Sequence, residues 1–263
     1  RTTLQLFEKD VLEGRYLQQR IDTSVQNMHN ERFWYHDTAY FQHLGNIGTA
    51  AKPILFRIPD KIGARLGKNV FSRYAYEPEQ INYYDTRSPY SHIYYIQGQR
   101  GEQVFEGTHA RNINPRWNAG IAYQILSGNR QVGVSTLNRN GYLSSQAVKA
   151  FTHYRSESGN YHLFANFTHL NHEQIEFGGI RPGPGDTQDD LFGFQNELTY
   201  LNQAATREFR NKYHLLHIYK LAGENLKIYH SFDWGRQRNI FEDDAIPRQA
   251  DSLGTLIFYP ETI

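Results

Sequence analysis

Residues 117–125 alternate between two kinds of side chain, and this alternation constrains the fold more than any other feature of the sequence. Asn114-Pro115 is a turn signal immediately before the segment. Side chains point to opposite faces along an extended strand, so a period of two predicts a strand with one apolar and one polar face. The apolar face would carry Trp117, Ala119, Ile121, Tyr123 and Ile125, and the small or polar face Asn118, Gly120, Ala122 and Gln124.

The same period of two returns on both sides of the turn sequence Ser156–Asn160, which predicts a β-hairpin. Repeated alternation of this kind is typical of the strands of an outer-membrane β-barrel. One face of the hairpin would carry Val148, Ala150, Thr152, Tyr154, Tyr161, Leu163, Ala165 and Phe167. The opposite face would carry Lys149, Phe151, His153, Arg155, His162, Phe164, Asn166 and Thr168.

Turn signals and short apolar runs extend this interpretation along the chain. We predict an all-β fold, an antiparallel meander that forms all or part of a transmembrane outer-membrane β-barrel, without a helix of convincing period. Further strands are predicted at Thr2–Phe7, Gly14–Gln19, Pro53–Phe56, Ser91–Gln97, Glu102–Asn112, Glu197–Leu201, Tyr213–Leu221, Leu226–Trp234 and Thr255–Tyr259. Loops are predicted at Gly98–Gly101, Ser127–Gly141 and Gly178–Asp190.

Composition agrees with strands rather than helices as the membrane-spanning elements. Among the 263 residues, 39% are hydrophobic, and no apolar run approaches the roughly 18 residues that a spanning helix needs. A barrel strand needs only about 9–11 residues with every second one apolar, so a low mean hydropathy is compatible with it. The net charge of +1 excludes a broad attraction to nucleic acid, and the absence of cysteine excludes disulfides and thiolate chemistry.

In a barrel with lipid outside and water inside, the two faces of each strand have different roles. Three residues on the polar face, Lys149, His153 and Arg155, either form a basic pore wall that favours anions or pair with nearby acids across the strands. The pairing is the simpler interpretation. The set predicted to face lipid is Trp117, Ile121, Tyr123, Leu163 and Phe167. The set predicted to line the pore is Asn118, Gln124, Lys149, His153, Arg155, His162 and Asn166.

The other candidate motifs do not support a chemical site. His169 and His172 are three residues apart, as are His214 and His217, and on a strand this spacing places the two rings on opposite faces. Zinc needs three or four convergent ligands, so no metal site is predicted. The acidic runs lack the EF-hand pattern, and residues 63–69 lack the spacing of a phosphate loop. We predict no catalytic, cofactor-binding or metal-binding residue, and no enzymatic activity.

Five blocks of sequence, in order, are similar to those of one family. They are Ile21–Ser24 with Leu44–Ala50, Tyr83–Tyr90, Glu102–Phe105 with His109 and Asn112–Asn118, Phe177–Ile180, and His230–Trp234. Over this part of its length the chain resembles the putative porin family of Bacteroidota outer membranes. The resemblance implies an outer-membrane barrel that conducts small solutes without a cofactor.

The end of the chain differs from what the resemblance implies. A barrel of this type is expected to be longer and to finish on a strand with a terminal aromatic residue, whereas this chain ends with Pro260–Ile263. Proline cannot donate to a strand ladder. We therefore predict that residues 1–40 form an N-terminal lead-in and that residues 41–263 supply barrel strands, as the N-terminal part of a longer barrel.

The predicted function is passive, porin-like diffusion of small hydrophilic solutes across the outer membrane of a Gram-negative cell. The expected partners are membrane lipid and the solutes, and the oligomeric state stays open. Gly178–Asp190 would form an extracellular loop and Ser156–Asn160 a short periplasmic turn. Two alternatives remain: a soluble or surface-attached β-sandwich that binds carbohydrate through exposed Tyr and Trp, and a hydrolase embedded in the barrel wall.

Overall fold

The structure is a computed structural model that describes most of the chain. The described residues are 3–15, 18–21, 26, 41–55, 68–99, 101–129, 141–183, 185–187, 189–190, 199–201, 203–222 and 225–244. Within them are twelve strands: β1 (Thr3–Leu6), β2 (Gln19–Arg20), β3 (Phe41–His43), β4 (Ala51–Pro53), β5 (Tyr83–Thr86), β6 (Tyr90–Gln97), β7 (Gln103–Asn114), β8 (Trp117–Asn129), β9 (Gly141–Arg155), β10 (Tyr161–Ile175), β11 (Ala204–Lys220) and β12 (Lys227–Asp243). The helical elements are α1 (Glu8–Leu12) and the 3₁₀ turns Ser72–Tyr74 and Pro78–Gln80.

Strands β6 to β12 form one seven-stranded antiparallel sheet in which every strand pairs with its neighbour in sequence. This is a meander, and it confirms the predicted all-β antiparallel fold. β9 has 15 residues and β12 has 17, more than the about 9–11 that a strand needs to cross a bilayer. Among the described residues the sheet is open, with β6 at one edge and β12 at the other.

The strand register keeps the alternation of side chains in phase across the sheet. Residues directly opposite each other in paired strands share a face, so one row on the outer face runs from β8 to β12 through Ile121, Ala150, Phe167, Tyr213 and Trp234. The rings of Phe167 and Tyr213 lie 4.7 Å apart, and those of Tyr213 and Trp234 lie 5.4 Å apart. Ile121 is 52% exposed on this face, so nothing in the described part of the chain covers it.

The opposite face, which we call the inner face, is covered by a preceding part of the same chain. Residues 3–12, 41–55 and 68–86, here named the inner segment, contain β1, α1, β3, β4, β5 and both 3₁₀ turns. β1 lies between β2 and β5 in a small antiparallel sheet. Buried apolar side chains of the inner segment pack against those of the large sheet in one cluster: Leu6, Val11, Ile81, Tyr83 and Tyr84 with Ala110, Phe151, Phe164, Leu216 and Ile218.

The connections between strands differ in length at the two ends of the sheet. At the end here called the turn end, residues 115–116, 156–160 and 221–226 make short connections. At the opposite end, here called the loop end, the connections are residues 98–102, 130–140 and 176–203. Gly159 has a φ of 72°, a backbone conformation that glycine adopts without steric cost, and this allows the tight turn after β9.

Most of the predicted strands are present, several of them longer than predicted. Ser91–Gln97 lies within β6, Glu102–Asn112 corresponds to β7, and Leu226–Trp234 is the first half of β12. The predicted loop Ser127–Gly141 is wrong at its start, because Ser127 and Gly128 continue β8 opposite Ser144 and Leu143. Residues 130–140 of that loop lie outside the described residues.

Two predictions for the N-terminal third are wrong. The buried strand expected at Pro53–Phe56 is not formed over its described residues 53–55, because β4 ends at Pro53 and the side chains of Ile54 and Leu55 are 63% and 58% exposed. A strand is also expected at Gly14–Gln19. Among its described residues, only Gln19 lies in a strand, and Gly14 instead has a φ of 83° just after α1. The helix α1 itself, with five residues, is too short to produce a sequence period.

Three predicted features involve undescribed residues. The strand at Thr255–Tyr259 lies outside the described residues, as does most of the stretch 63–69. Of Glu197–Leu201, the described part is 199–201, where Thr199 forms an isolated bridge with Ile180. No helix in the described ranges is long and apolar enough to cross a membrane.

The exposed position of Ile121 gives a test of the two-faced sheet. We expect Ile121→Arg to destabilise the folded protein by about 2–4 kcal/mol if this position lies at the membrane midplane, because a guanidinium would face hydrocarbon. Ser127→Arg, on the same face of β8 but near the loop end, should cost much less. Urea unfolding in lipid vesicles measures both, and equal losses would contradict the assignment.

Candidate functional site

The predicted pore-lining residues all lie on the inner face of the large sheet. The side chains of Asn118, Gln124, Lys149, His153, His162 and Asn166 are buried, and that of Arg155 is half-buried. They are buried because the inner segment lies against them. The sequence pattern therefore placed these residues on the correct face, while their contacts with the inner segment were not anticipated. Whether they line a pore stays a prediction.

Near the turn end, Asn118 is connected to the inner segment through Asn112. The Nδ2 of Asn118 donates to Oδ1 of Asn112 at 2.6 Å, and the same oxygen accepts from the backbone N–H of Thr86 at 3.0 Å. Nδ2 of Asn112 donates to Oδ1 of Asp85 at 2.8 Å. This network fixes β5 against β7 and β8 through polar groups.

A group of stacked rings lies in the row of Asn118 and in the row nearer the turn end. The rings of His153 and His162 lie 5.7 Å apart and nearly parallel, with His153 Nε2 3.4 Å from His162 Nδ1. His153 also stacks on Phe164 at 4.5 Å, and Tyr83 of the inner segment contacts Phe164 edge-on at 4.9 Å. Aromatic packing of this kind gives the turn-end part of the interface a largely apolar contact.

We call the seven-stranded sheet, seen from its inner face, the wall. Two amides of the wall donate to backbone carbonyls of the inner segment. Nδ2 of Asn166 lies 3.0 Å from the carbonyl oxygen of Pro78 and 2.9 Å from the hydroxyl oxygen of Tyr83. Nε2 of Gln124 lies 3.2 Å from the carbonyl oxygen of Tyr74. Buried polar groups need such partners, and here the wall supplies donors to carbonyls in the irregular part of the inner segment.

Basic side chains contact the inner segment at mid-height. Lys149 Nζ lies 4.4 Å from the centroid of the Tyr76 ring, a cation–π contact. The direct neighbours of Lys149 across the strands are Ala122 and Thr168, so the predicted pairing of this face with nearby acids stays a prediction. Lys212 Nζ and Glu77 Oε2 are 2.5 Å apart.

Sequence reasoning missed the basic residues of β11. Arg210 Nη1 lies 3.7 Å from Glu77 Oε1, Arg210 Nη2 donates to Ser72 Oγ at 2.8 Å, and Arg210 Nε donates to Glu208. The sequence signal for them is weak, because Arg207 and Asn211 interrupt the apolar side of the alternation between Thr206 and His214. The predicted strand begins at Tyr213 and leaves these basic residues out.

His214 joins the sheet to α1. Its Nε2 lies 3.0 Å from Glu8 Oε2, and its Nδ1 lies 2.7 Å from Asp233 Oδ1 on β12. Glu8 and His214 are both buried, whereas the Asp233 side chain is 50% exposed. The imidazole therefore bridges two carboxylates, one of the inner segment and one of the wall.

Burial raises the pKa of two tyrosines of the inner segment above the ordinary value for a phenol. Burial raises the pKa of Tyr74 to about 12, and its hydroxyl donates to the carbonyl oxygen of Thr49 at 2.9 Å. Burial is also the main cause that raises the pKa of Tyr83, with the nearby Glu8 carboxylate adding to it. At neutral pH both phenols are hydrogen-bonding groups rather than charges.

A cavity of about 270 Å³ lies at the loop end between the inner segment and strands β6 and β7. It is bordered by Ile96 and Val104 of the sheet and by Tyr74 of the inner segment, with His43 and Glu102 as polar groups. The cavity is large enough for a small solute, and it marks where the packing between the two layers is incomplete.

The histidine pairs and acidic runs do not converge. His172 and His214 lie on the inner face, and their partners His169 and His217 lie on the outer face, as the strand spacing predicts. Within the described ranges no group of three or more His, Asp or Glu side chains could hold a metal ion. In the loop at the loop end, Asp190 accepts hydrogen bonds from the hydroxyl and backbone N–H of Thr187, which lower the pKa of its carboxyl.

The pair on the inner face that comes nearest to a nucleophile and base is Ser145 and His172. They are direct neighbours across β9 and β10, and both are essentially fully buried. The described structure has no hydrogen bond between them, and solvent does not reach either side chain. This arrangement gives a hydrolase in the barrel wall no specific support.

Phe164, with no exposed surface, tests the interface between the sheet and the inner segment. We expect Phe164→Ala to destabilise the protein by about 3–5 kcal/mol, because it removes a large buried ring and leaves a cavity. Phe167→Ala, on the outer face of the same strand, is the matched control and should cost less, since this half-buried ring is not enclosed by the inner segment. Unfolding midpoints in urea measure both, and a larger loss for the control would contradict the packing described here.

Comparison with known proteins adds one finding to this geometry. Searches of curated proteins and of solved structures found no significant match. The model of a protein family described as "Putative porin" matches residues 3–255, which is nearly the whole chain. The match spans both the inner segment and the seven-stranded sheet. The antiparallel meander is therefore part of a β-barrel, and the chain belongs to the putative porin family.

Proposed function

We propose that the protein is an outer-membrane channel of a Gram-negative bacterium of the Bacteroidota, through which small hydrophilic solutes diffuse passively. The observation that carries this proposal is the outer face of the seven-stranded sheet, where apolar side chains such as Ile93, Ile121 and Trp234 are exposed, while the inner face combines polar side chains with a buried apolar core. A barrel wall with lipid on one side and water on the other needs this distribution. No catalytic step or cofactor is part of the proposal.

The way the faces are covered favours a barrel over a carbohydrate-binding β-sandwich. In a sandwich, the apolar faces of two sheets pack against each other and the polar faces meet water. Here the polar face is covered by the inner segment, whereas Trp117 and Ile121 on the apolar face are 41% and 52% exposed. Lipid is the medium that would remove such a surface from water.

The inner face supplies the proposed wall of the pore. The residues proposed to face the lumen are Asn118, Gln124, Lys149, His153, Arg155, His162 and Asn166, joined by Arg210, Lys212 and His214 of β11. The inner segment would lie inside the lumen and narrow it. Solutes would then pass between the inner segment and those parts of the wall that it does not cover.

The function is tested by reconstituting the full gene product. In planar bilayers it should give stepwise currents, and in liposomes it should admit small sugars in a swelling assay. A folded barrel can be recognised independently, because it migrates differently on electrophoresis before and after heating. If the heat-modifiable form is present but neither currents nor swelling occur, the channel proposal is wrong and the barrel assignment stands.

The unequal connections support an orientation with the loop end outside the cell. Outer-membrane barrels have short periplasmic turns and longer extracellular loops, which matches residues 156–160 at one end and 176–203 at the other. Protease added to intact cells should therefore cut near Asp186–Asp190 and leave Ser156–Asn160 uncut. Cleavage at the turn alone would show that the orientation is reversed.

A further inference from the structure

Three cations of the wall lie close together on the inner face at mid-height. Thr168 of β10 has Lys149 as its direct neighbour on β9 and Lys212 as its direct neighbour on β11, so two lysines flank it in one row. Arg210 lies on the same face of β11, in the next row toward the loop end. We call Lys149, Arg210 and Lys212 the cationic belt.

The inner segment covers the cationic belt with two consecutive residues. The ring of Tyr76 lies against Lys149, and its hydroxyl donates to Glu106 Oε2 at 2.8 Å. The carboxylate of Glu77 spans two cations, with Oε2 2.5 Å from Lys212 Nζ and Oε1 3.7 Å from Arg210 Nη1. One carboxylate oxygen for each of two cations is an arrangement that a free carboxylate or phosphate can also make.

Carboxylates from both layers lie around the belt. The wall contributes Glu208 next to Arg210 and Glu106 next to Tyr76. The inner segment contributes Glu77, whose carboxylate contacts Lys212 and Arg210 together. Removing that carboxylate would take from both cations the partner that they share.

The contact between Glu77 and the belt is accessible to small solutes. The side chains of Glu77 and Lys212 are 29% and 30% exposed, in contrast to the 6% of Arg210. The backbone that carries Glu77 is irregular and lies between two 3₁₀ turns, Ser72–Tyr74 and Pro78–Gln80. The Tyr74 and Pro78 carbonyls on either side accept hydrogen bonds from Gln124 and Asn166 of the wall, so the displacement needed here is one confined to Tyr76 and Glu77.

We propose that the cationic belt is a binding site for small oxyanions, carboxylates or phosphates, and that Glu77 occupies it as an internal competitor. An anionic solute that replaces the Glu77 carboxylate releases this stretch of the inner segment and exposes the wall beneath it. The inference rests on the proposed function for its role in permeation, because the site would lie in the lumen of the channel. The binding exchange itself requires only the folded protein.

A cysteine at position 168 reports the exchange. Thr168 is 3% exposed beneath the inner segment, and the chain has no cysteine of its own, so Thr168→Cys gives a single, nearly isosteric thiol. We expect a water-soluble thiol reagent to label it slowly in the folded full-length protein. Sodium phosphate should increase the rate relative to sodium chloride at equal ionic strength, while glucose should not. Ser158→Cys, in the exposed turn, serves as the reference for reagent activity.

Charge variants in the Thr168→Cys background identify the competitor. Glu77→Gln should raise labelling without phosphate by about two- to fivefold, the range expected for losing a partly exposed ion pair, and should abolish most of the phosphate response. Lys212→Gln should also raise the basal rate, because it removes the partner of Glu77. Glu13→Gln is the matched control, since it removes the same charge from the exposed end of α1, and it should behave like the parent protein.

The outcomes separate this inference from the channel proposal. If the labelling rate changes neither with phosphate nor with Glu77→Gln, the anion site is wrong. It is also wrong if Glu13→Gln raises the labelling rate as much as Glu77→Gln does. Currents in planar bilayers are recorded on the same proteins. If a protein conducts but its labelling rate does not respond to phosphate, the channel proposal stands and the anion site is wrong. If the labelling rate of a folded protein responds to phosphate but the protein never conducts, the anion site stands and the channel proposal is wrong.

Discussion

The rest of the structure depends on one constraint, a side-chain period of two that is kept in phase across seven paired strands. Backbone groups inside a membrane must find partners within the protein, and a sheet provides them only where strands are paired. Once β8 is paired with β7 and β9, a slip of one residue would turn Trp117 and Ile121 inward and Asn118 and Gln124 outward. The register therefore determines both which side chains lie on the outer face and which side chains contact the inner segment.

The buried polar side chains of the inner face need hydrogen-bond or ion-pair partners, and the inner segment supplies several of them. Amide, carboxylate and ammonium groups that leave water need partners, or their burial costs free energy. Asn166 and Gln124 find them in backbone carbonyls of the inner segment, and Lys212 finds one in Glu77. The irregular backbone around Pro78 suits this purpose, because its carbonyl is not used by a strand ladder. The wall thus supplies donors to backbone carbonyls of the inner segment, and the inner segment supplies the carboxylate of Glu77 to Lys212.

Local patterns predicted the wall well and the interface poorly, for a physical reason. Alternation reports which face of a strand is polar, so the hairpin of β9 and β10 and the face of each predicted pore residue could be derived from the sequence. The partners of those residues are distant in the chain: Asn166 and Tyr83 are separated by 83 positions, and Lys212 and Glu77 by 135. No local period encodes such contacts. The prediction of a buried strand at Pro53–Phe56 failed because a local apolar run does not show whether another part of the chain will pack against it. The side chains of Ile54 and Leu55 are exposed.

The contacts between the wall and the inner segment change in character along the strands, and this bears on how the two layers can move. Toward the turn end, Phe151, Phe164 and Leu216 belong to an apolar cluster with β1, α1 and β5, whose separation would expose hydrocarbon to water. Toward the loop end, Tyr74 of the inner segment belongs to a second apolar cluster with Val104 and Leu126 of the sheet. Between these clusters, Glu77 makes partly exposed ion pairs, which water or a solute ion can replace at little net cost. Any opening between the layers is therefore expected to begin around Glu77 while the apolar clusters hold. A segment anchored in this way would narrow a pore without sealing it permanently.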